Sequence, residues 1–109
     1  MANSDVAALP AFEPAHPGRI LREYALAGFL KRKVPFIHIA RHLGVSRQTL
    51  YQLLNEERSV TADMAVRLGR ACGNSPLFWL GLQSQYDAWH AMRDKSLKKI
   101  KRFDFGAAA

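Results

Sequence analysis

Residues 35–55 read PFIHIARHLGVSRQTLYQLLN, and this stretch decides the fold. Apolar residues recur in it at helical spacing in two short runs that are separated by a glycine. Gly44 directly follows the first run, where glycine typically ends a helix because it adopts a positive φ at little cost. Ser46 is a favourable N-cap for the second run. The sequence therefore predicts two short helices joined by a tight turn, which is the helix-turn-helix pattern.

Small and apolar residues at fixed places in this stretch predict how its two helices pack. The small residue at position 40 lets the first helix lie close to the second, and the apolar residue at position 45 fills the turn. The leucine at position 50 points back into the core. The expected packing residues of the motif are Ala40, Gly44, Val45 and Leu50.

The second helix of the motif has a polar outer face. With three leucines turned inward, the residues that face outward are Arg47, Gln48, Tyr51, Gln52 and Asn55. Arginine can form paired hydrogen bonds with guanine, and glutamine or asparagine can do so with adenine. None of these residues is acidic, whereas a face without a function would more often contain glutamate and lysine. We therefore expect them to read DNA bases; a merely solvent-exposed polar face is the alternative.

The charge of the chain favours the same kind of partner. Sixteen lysines and arginines against nine acidic residues give a net charge of +7, which suits a polyanion such as nucleic acid. Residues 31–58 and 93–109 contain most of this excess. The residues expected to contact DNA phosphates are Ser46, Thr49, Arg41, Arg58 and Lys33. Each charged member of this set could instead be an ordinary solvated surface charge.

Three further helices are predicted around the motif. Residues 17–29 form the first, which places Leu21 and Tyr24 on its inner face. Another runs between residues 61 and 73, and the last begins at Ser75. No stretch alternates as a strand would, so we expect an all-α domain of five helices with a long C-terminal helix.

The predicted C-terminal helix carries an aromatic stripe. Phe78 and Trp79 are expected to pack as core against the motif. The stripe continues further along the helix, where a five-helix domain has nothing left to cover it. Such apolar surface suggests a homodimer. The expected dimer interface consists of Tyr86, Trp89 and Met92.

Composition predicts the limits of the domain. Residues 1–15 are rich in alanine and proline and lack a sustained periodicity, so we expect a flexible N-terminal arm. The helix-turn-helix domain with its C-terminal helix then spans residues 16–103. Residues 104–109 are expected to be a disordered tail.

Several other kinds of site find little support. His38 and His42 lie one helical turn apart, but no third ligand accompanies them, so we expect no metal and no cofactor. We find no catalytic set of side chains and expect no enzyme; a small basic ribonuclease, the opposing hypothesis, would need strands.

The single cysteine, Cys72, excludes an internal disulfide and is expected to be a small core residue. Without a signal-peptide pattern or a long apolar run, we expect a cytoplasmic protein with no membrane contact.

Two longer stretches are specific enough to indicate a family: HPGRILREY at His16–Tyr24 and ARHLGVSRQTLYQLLNEERSVTADMAVRLGRACGNSPLFWLGLQSQYD at Ala40–Asp87. They resemble the HigA family of antitoxins, which belongs to the Cro/cI (XRE) group of helix-turn-helix proteins. The most specific markers are HPG before the first helix, VTAD at Val60–Asp63 and SPLFWLGLQ at Ser75–Gln83. General phage-type repressors share the motif but not this C-terminal signature.

The resemblance implies a lambda-repressor-like fold and specific partners. Members of the family pair with HigB, a small RelE-like toxin that cleaves mRNA on the ribosome. They neutralise it and repress their shared operon by binding a palindromic operator as dimers. We therefore expect double-stranded operator DNA, a HigB-like toxin and a second copy of the chain as partners. A stand-alone Cro/cI-type repressor without a toxin is the alternative.

The chain departs from the family pattern at the start of the motif. The family commonly has Ser or Thr followed by Gln there, and the Gln helps to hold the phosphate backbone. Here those positions are Pro35 and Phe36. A short basic insertion at residues 31–33 offers a substitute for the lost contact.

The N-terminal arm is the expected toxin-binding segment. Its Val6, Leu9 and Phe12 have no core to join, and such segments can become ordered on a partner. Residues 1–30 also have more acidic than basic side chains, which favours encounter with a basic toxin. The outer face of the C-terminal helix is the alternative toxin-binding surface.

Overall fold

A computed structural model describes residues 11–106 of the chain. These residues form helices and no strands, as predicted. A π-helical segment, Leu21–Ala25, follows the first helix. The α-helices are α1 (Pro17–Ile20), α2 (Ala27–Lys31), α3 (Phe36–Leu43), α4 (Arg47–Leu54), α5 (Ala62–Cys72), α6 (Pro76–Ala91) and α7 (Lys95–Lys98).

Helices α3 and α4 form the predicted helix-turn-helix. Gly44 ends α3 in the left-handed conformation, with φ 72° and ψ 32°. Val45, which follows it in the turn, is half-buried. The Ser46 hydroxyl accepts a hydrogen bond from the Thr49 backbone N–H at 3.0 Å and caps α4. Ala40 and Leu50 are completely buried where the two helices meet.

The core lies between the motif and the helices on either side of it. Its largest fully buried side chains are Trp79, Leu21, Leu50, Leu53 and Leu68. They come from the π-helical segment, α4, α5 and α6. Burial of these apolar groups is the main favourable term that holds α4 in place.

The first predicted helix is interrupted, and the expected inner position of Tyr24 is wrong. The Leu26 backbone N–H donates to the Leu21 carbonyl at 2.8 Å, which spans five residues instead of the four of an α-helix. With this wider turn both Leu21 and Leu26 are buried in the core. Tyr24 therefore points away from the core and is 72% exposed.

The HPG sequence has a packing role. The His16 Nδ1 atom accepts a hydrogen bond from the Gly18 backbone N–H at 2.9 Å and caps α1. A Cβ atom on Gly18 would lie 1.8 Å from the Leu53 carbonyl oxygen, so only glycine fits where α1 meets α4. The buried His16 ring also contacts the Tyr86 ring edge-on, with centroids 5.0 Å apart.

Helix α6 ends at Ala91, and part of the basic stretch after it forms the separate helix α7. Two residues in the second half of the chain differ from expectation. Phe78 is 46% exposed, whereas its neighbour Trp79 is buried as predicted. Cys72 is exposed because it lies at the last residue of α5 rather than on the core face. Periodicity predicted where the helices lie but not which residues at their ends face the core.

The predicted arm and tail lie partly outside the described residues. The structure describes the arm only from residue 11 and the tail only as far as residue 106, so the domain limits stay predictions. Phe12 is 85% exposed, which agrees with the expectation that it has no core to join. Among the helices of residues 11–106, none combines the length and the hydropathy of a membrane-spanning segment.

The buried His16 makes stability depend on pH. Burial lowers its pKa below the ordinary 6.5, and the nearby Glu56 and Asp87 charges oppose this only in part. Below pH about 6.5 the unfolded chain therefore binds the proton more readily than the folded chain. We expect the free energy of unfolding, measured in urea, to fall as the pH drops from 7 to 5. His16→Asn keeps a side chain that can cap α1 and should weaken this pH dependence. An unchanged pH dependence would show that His16 is not its cause.

Candidate nucleic-acid interface

The outer face of α4 is accessible and free of acidic side chains. Residues 46–55, which comprise α4 and the residue on either side of it, contain no aspartate or glutamate. Arg47, Gln48 and Asn55 are exposed, and Tyr51 is 54% exposed. Leu50, like the other inward-facing leucines of α4, is buried. The structure thus brings four of the five expected base-reading residues to one open surface.

The fifth, Gln52, is half-buried and paired with a candidate phosphate-binding residue. Its Oε1 atom accepts hydrogen bonds from Arg58 Nε at 3.1 Å and Nη2 at 2.7 Å. An arginine has five N–H donors, so Arg58 keeps others for a phosphate oxygen. This pair therefore places a base-reading candidate and a phosphate-binding candidate side by side.

The remaining phosphate-binding candidates differ in how they are held. Ser46 and Thr49 are joined to each other at the start of α4, because the Ser46 hydroxyl also lies 2.9 Å from the Thr49 hydroxyl. Arg41 is exposed on α3. Lys33 is exposed in the turn before α3, with a positive φ of 58°. Of these four residues, Ser46 and Thr49 are therefore the two that hydrogen bonds hold in place at the start of α4.

An arginine that the sequence argument missed caps the turn of the motif. Arg67 Nη1 on α5 donates to the carbonyl oxygens of Leu43 and Gly44, both at 3.0 Å. Its Nε atom donates to Asp63 at 2.6 Å, and this hydrogen-bonded carboxylate raises the pKa of Arg67. The last carbonyls of a helix lack partners within it and carry partial negative charge, so a cation there is favourable.

A second arginine that the sequence did not reveal caps the end of α4, which we call the recognition helix. Arg22 Nη1, in the π-helical segment, donates to the carbonyl oxygen of Leu54, the last residue of α4. Its Nη2 atom pairs with Glu56 at 3.3 Å. Both helices of the motif therefore end on a guanidinium from a different part of the chain.

A buried glutamine fixes the loop that follows the recognition helix. Gln83 on α6 accepts a hydrogen bond from the Val60 backbone N–H at 2.8 Å. It donates through its other amide atom to Asp87 at 2.9 Å. Its only sequence signal was its place in the SPLFWLGLQ marker, whereas the i, i+4 spacing of Asp63 and Arg67 was visible as an ion-pair pattern.

The expected dimer residues are only partly uncovered. Tyr86 is half-buried against His16, and the Arg93 guanidinium lies 3.4 Å above the Trp89 ring. Met92 is 40% exposed. The expectation that nothing in the chain covers the stripe is therefore wrong for Tyr86 and Trp89. They leave a smaller apolar surface than the sequence indicated.

Histidines of α3 do not form a metal centre in the described part of the chain. His38 and His42 are both exposed. Within residues 11–106 no group of three histidine, cysteine or acidic side chains is arranged to hold a metal ion.

Comparisons with known proteins agree with this geometry. A family model described as helix-turn-helix matches residues 39–80. The chain is similar to a HigA-family addiction module antidote protein from Coxiella burnetii, with 37% identity, a TM-score of 0.71, and coverage of 84% of this chain and 100% of that one. It is similar to Pseudomonas aeruginosa antitoxin HigA, solved with the higBA promoter, with 36% identity, a TM-score of 0.72, and coverage of 84% and 99%.

A relative of known sequence extends this likeness. Virulence-associated protein I of Dichelobacter nodosus is 40% identical over 81 residues, which cover 73% of this chain and 71% of that protein.

The cap on the recognition helix can be tested by removing its charge. Arg22→Met keeps the length of the side chain but leaves the Leu54 carbonyl without its charged donor. We expect the free energy of unfolding in urea to fall by about 1–2 kcal/mol. Arg19→Met is the control, because Arg19 pairs with Glu23 on the surface. Equal stability of the two variants would contradict the role of Arg22.

Proposed function

We propose that this chain, which belongs to the HigA family of helix-turn-helix antitoxins, neutralises a HigB-like toxin and represses the operon that encodes both proteins. The family consists of DNA-binding regulators and is not a class of enzymes. The chain is accordingly a DNA-binding antitoxin of the HigA type. The acid-free outer face of α4 is the observation that supports sequence-specific repression most strongly.

The shape and chemistry of α4 suit the major groove of DNA. That groove admits an α-helix, and its base edges carry a distinct donor and acceptor pattern for each base pair. Arg47 suits a guanine, and Gln48 and Asn55 suit adenines. The Pseudomonas relative was solved with promoter DNA, which supports the same use of the motif here.

Cations around this face would supply the part of the affinity that does not depend on sequence. Arg58 is held beside Gln52, and Arg41 and Lys33 are exposed nearby in the chain. Contacts from such side chains to phosphates fix the register of a protein on DNA and weaken as salt is added. A repressor of this kind acts where the operator lies, in the cytoplasm.

Specificity also requires two copies of the chain. One recognition helix covers only a few base pairs, and a two-fold dimer places two of them about 34–36 Å apart on successive major grooves. We place the dimer contact at the end of α6, which carries Tyr86 and Trp89 and is followed directly by the exposed Met92. The symmetric protein then matches a palindromic operator.

Replacing the reading side chains tests the DNA-binding part of the proposal. The probe is the duplex that precedes the chain's own operon. We expect Gln48→Ala to weaken binding in a gel-shift titration by about 1–3 kcal/mol and to relax the sequence preference. Gln85→Ala is the matched control, since Gln85 is exposed on α6. Unchanged affinity of the Gln48→Ala, Gln52→Ala double variant would show that this face does not read the operator.

The N-terminal arm supports the toxin-binding part of the proposal. Phe12 is 85% exposed and close in sequence to Glu13, which pairs with His90 of α6 at 2.5 Å. This contact holds the start of the described chain against α6. A toxin bound there would become too bulky to enter the ribosome while α4 stays available for DNA. A stand-alone repressor without a toxin is the second candidate.

Shortening the arm separates these two candidates. Deletion of residues 2–12 keeps Glu13 and the capping residue His16 in place. We expect it to weaken binding of the small RelE-like protein encoded next to this chain, measured by calorimetry, and to leave operator affinity within about twofold. Full toxin affinity would move the contact to the outer face of α6. Absence of such a neighbouring reading frame would favour the stand-alone repressor.

A further inference from the structure

An open apolar depression lies beside the reading face. It has a volume of about 270 Å³ and is lined by Pro35, Phe36, Ile37, Arg47 and Tyr51. It therefore joins the start of α3 to the outer side of α4. We refer to Pro35, Phe36, Ile37 and Tyr51 together as the apolar corner.

Contacts within the corner hold its two rings together. The Phe36 and Tyr51 rings lie 5.7 Å apart in a tilted arrangement. Phe36 is half-buried and also packs against the core, so it is anchored from below. Ile37 remains 37% exposed and Tyr51 54% exposed. The corner thus presents fixed apolar surface in a region where the neighbouring exposed side chains are polar or cationic.

The major groove offers one apolar group that matches such a surface. Among the groups that base pairs display there, only the C5 methyl of thymine is apolar, whereas the others are hydrogen-bond donors or acceptors. The side chains of Pro35, Phe36 and Ile37 carry no polar atom, so they can make no hydrogen bond to a phosphate. Continuity with Arg47 and Tyr51 places the depression on the face assigned to DNA.

We propose that the apolar corner takes the C5 methyl group of a thymine in each operator half-site, next to the base pair that Arg47 contacts. This inference rests on the proposed DNA binding through α4 and names part of the sequence that is read. The corner selects thymine over cytosine at that position because cytosine lacks the methyl group. Burial of one methyl group corresponds to a roughly fourfold change in affinity per half-site.

Deoxyuridine supplies a probe that removes only this methyl group. A duplex is first selected with the wild-type protein from a random-sequence library. Thymines are then replaced by deoxyuridine, one symmetric pair at a time, and the dissociation constant is measured by fluorescence anisotropy. We expect one symmetric pair at which the replacement weakens binding by roughly tenfold or more, from two half-sites at about fourfold each.

Variants of the corner connect that position to these residues. Ile37→Ala is the main variant, because the exposed Ile37 can be shortened with little effect on the core; Phe36→Leu is the second. Both should bring the ratio of the two dissociation constants, deoxyuridine over thymine duplex, towards one. Gln85→Ala, at an exposed position on α6, is the control and should keep the wild-type ratio. Because the ratio is taken within each variant, a partly unfolded sample does not change it.

Other results would overturn the inference. If no replacement weakens binding by more than twofold, or the selected duplex has no thymine at a fixed position, the corner does not read a methyl group. If both corner variants weaken all duplexes equally and keep the wild-type ratio, the corner contacts the DNA backbone or another protein instead. If no sequence is selected at all, the proposed DNA-reading function fails first and this inference falls with it.

Discussion

The position of the recognition helix depends on two guanidinium groups at helix ends. Arg67 binds the last carbonyls of α3 and its turn, and Arg22 binds the last carbonyl of α4. Helices of eight residues are marginal on their own, so their geometry must come from tertiary contacts. The two arginines come from α5 and from the π-helical segment, and they tie the motif to the elements on both sides of it.

Packing around the motif strengthens the same constraint. Gly18 lets α1 approach the Leu53 carbonyl, and Gln83 binds the backbone N–H of Val60 in the loop after α4. The inner side of α4 is consequently surrounded by close contacts, whereas its outer side carries exposed polar groups. This division fits a binding helix, because the scaffold fixes the orientation and the outer side chains are free to meet a partner.

Local sequence signals predicted the elements well and the long-range polar contacts poorly. Gly44, Ser46 and Ser75 identified helix ends because their effect is confined to a few neighbouring residues. Arg22 and Gln83 act across 32 and 23 residues, so no spacing in the sequence showed their partners.

Side-chain exposure was predicted least well. Tyr24 was placed on the wrong side because periodicity assumes one uniform helix, and the π-helical turn breaks that assumption. Most of the reading face could be predicted, since it follows from which leucines of α4 are buried; the pairing of Gln52 with Arg58 could not. The role of α4 is tested most directly by a nitrogen-15 NMR titration of the full chain with its selected duplex. If α4 reads the DNA, the largest amide shift changes lie within residues 46–55; changes confined to α6 and α7, with α4 unaffected, would contradict that role.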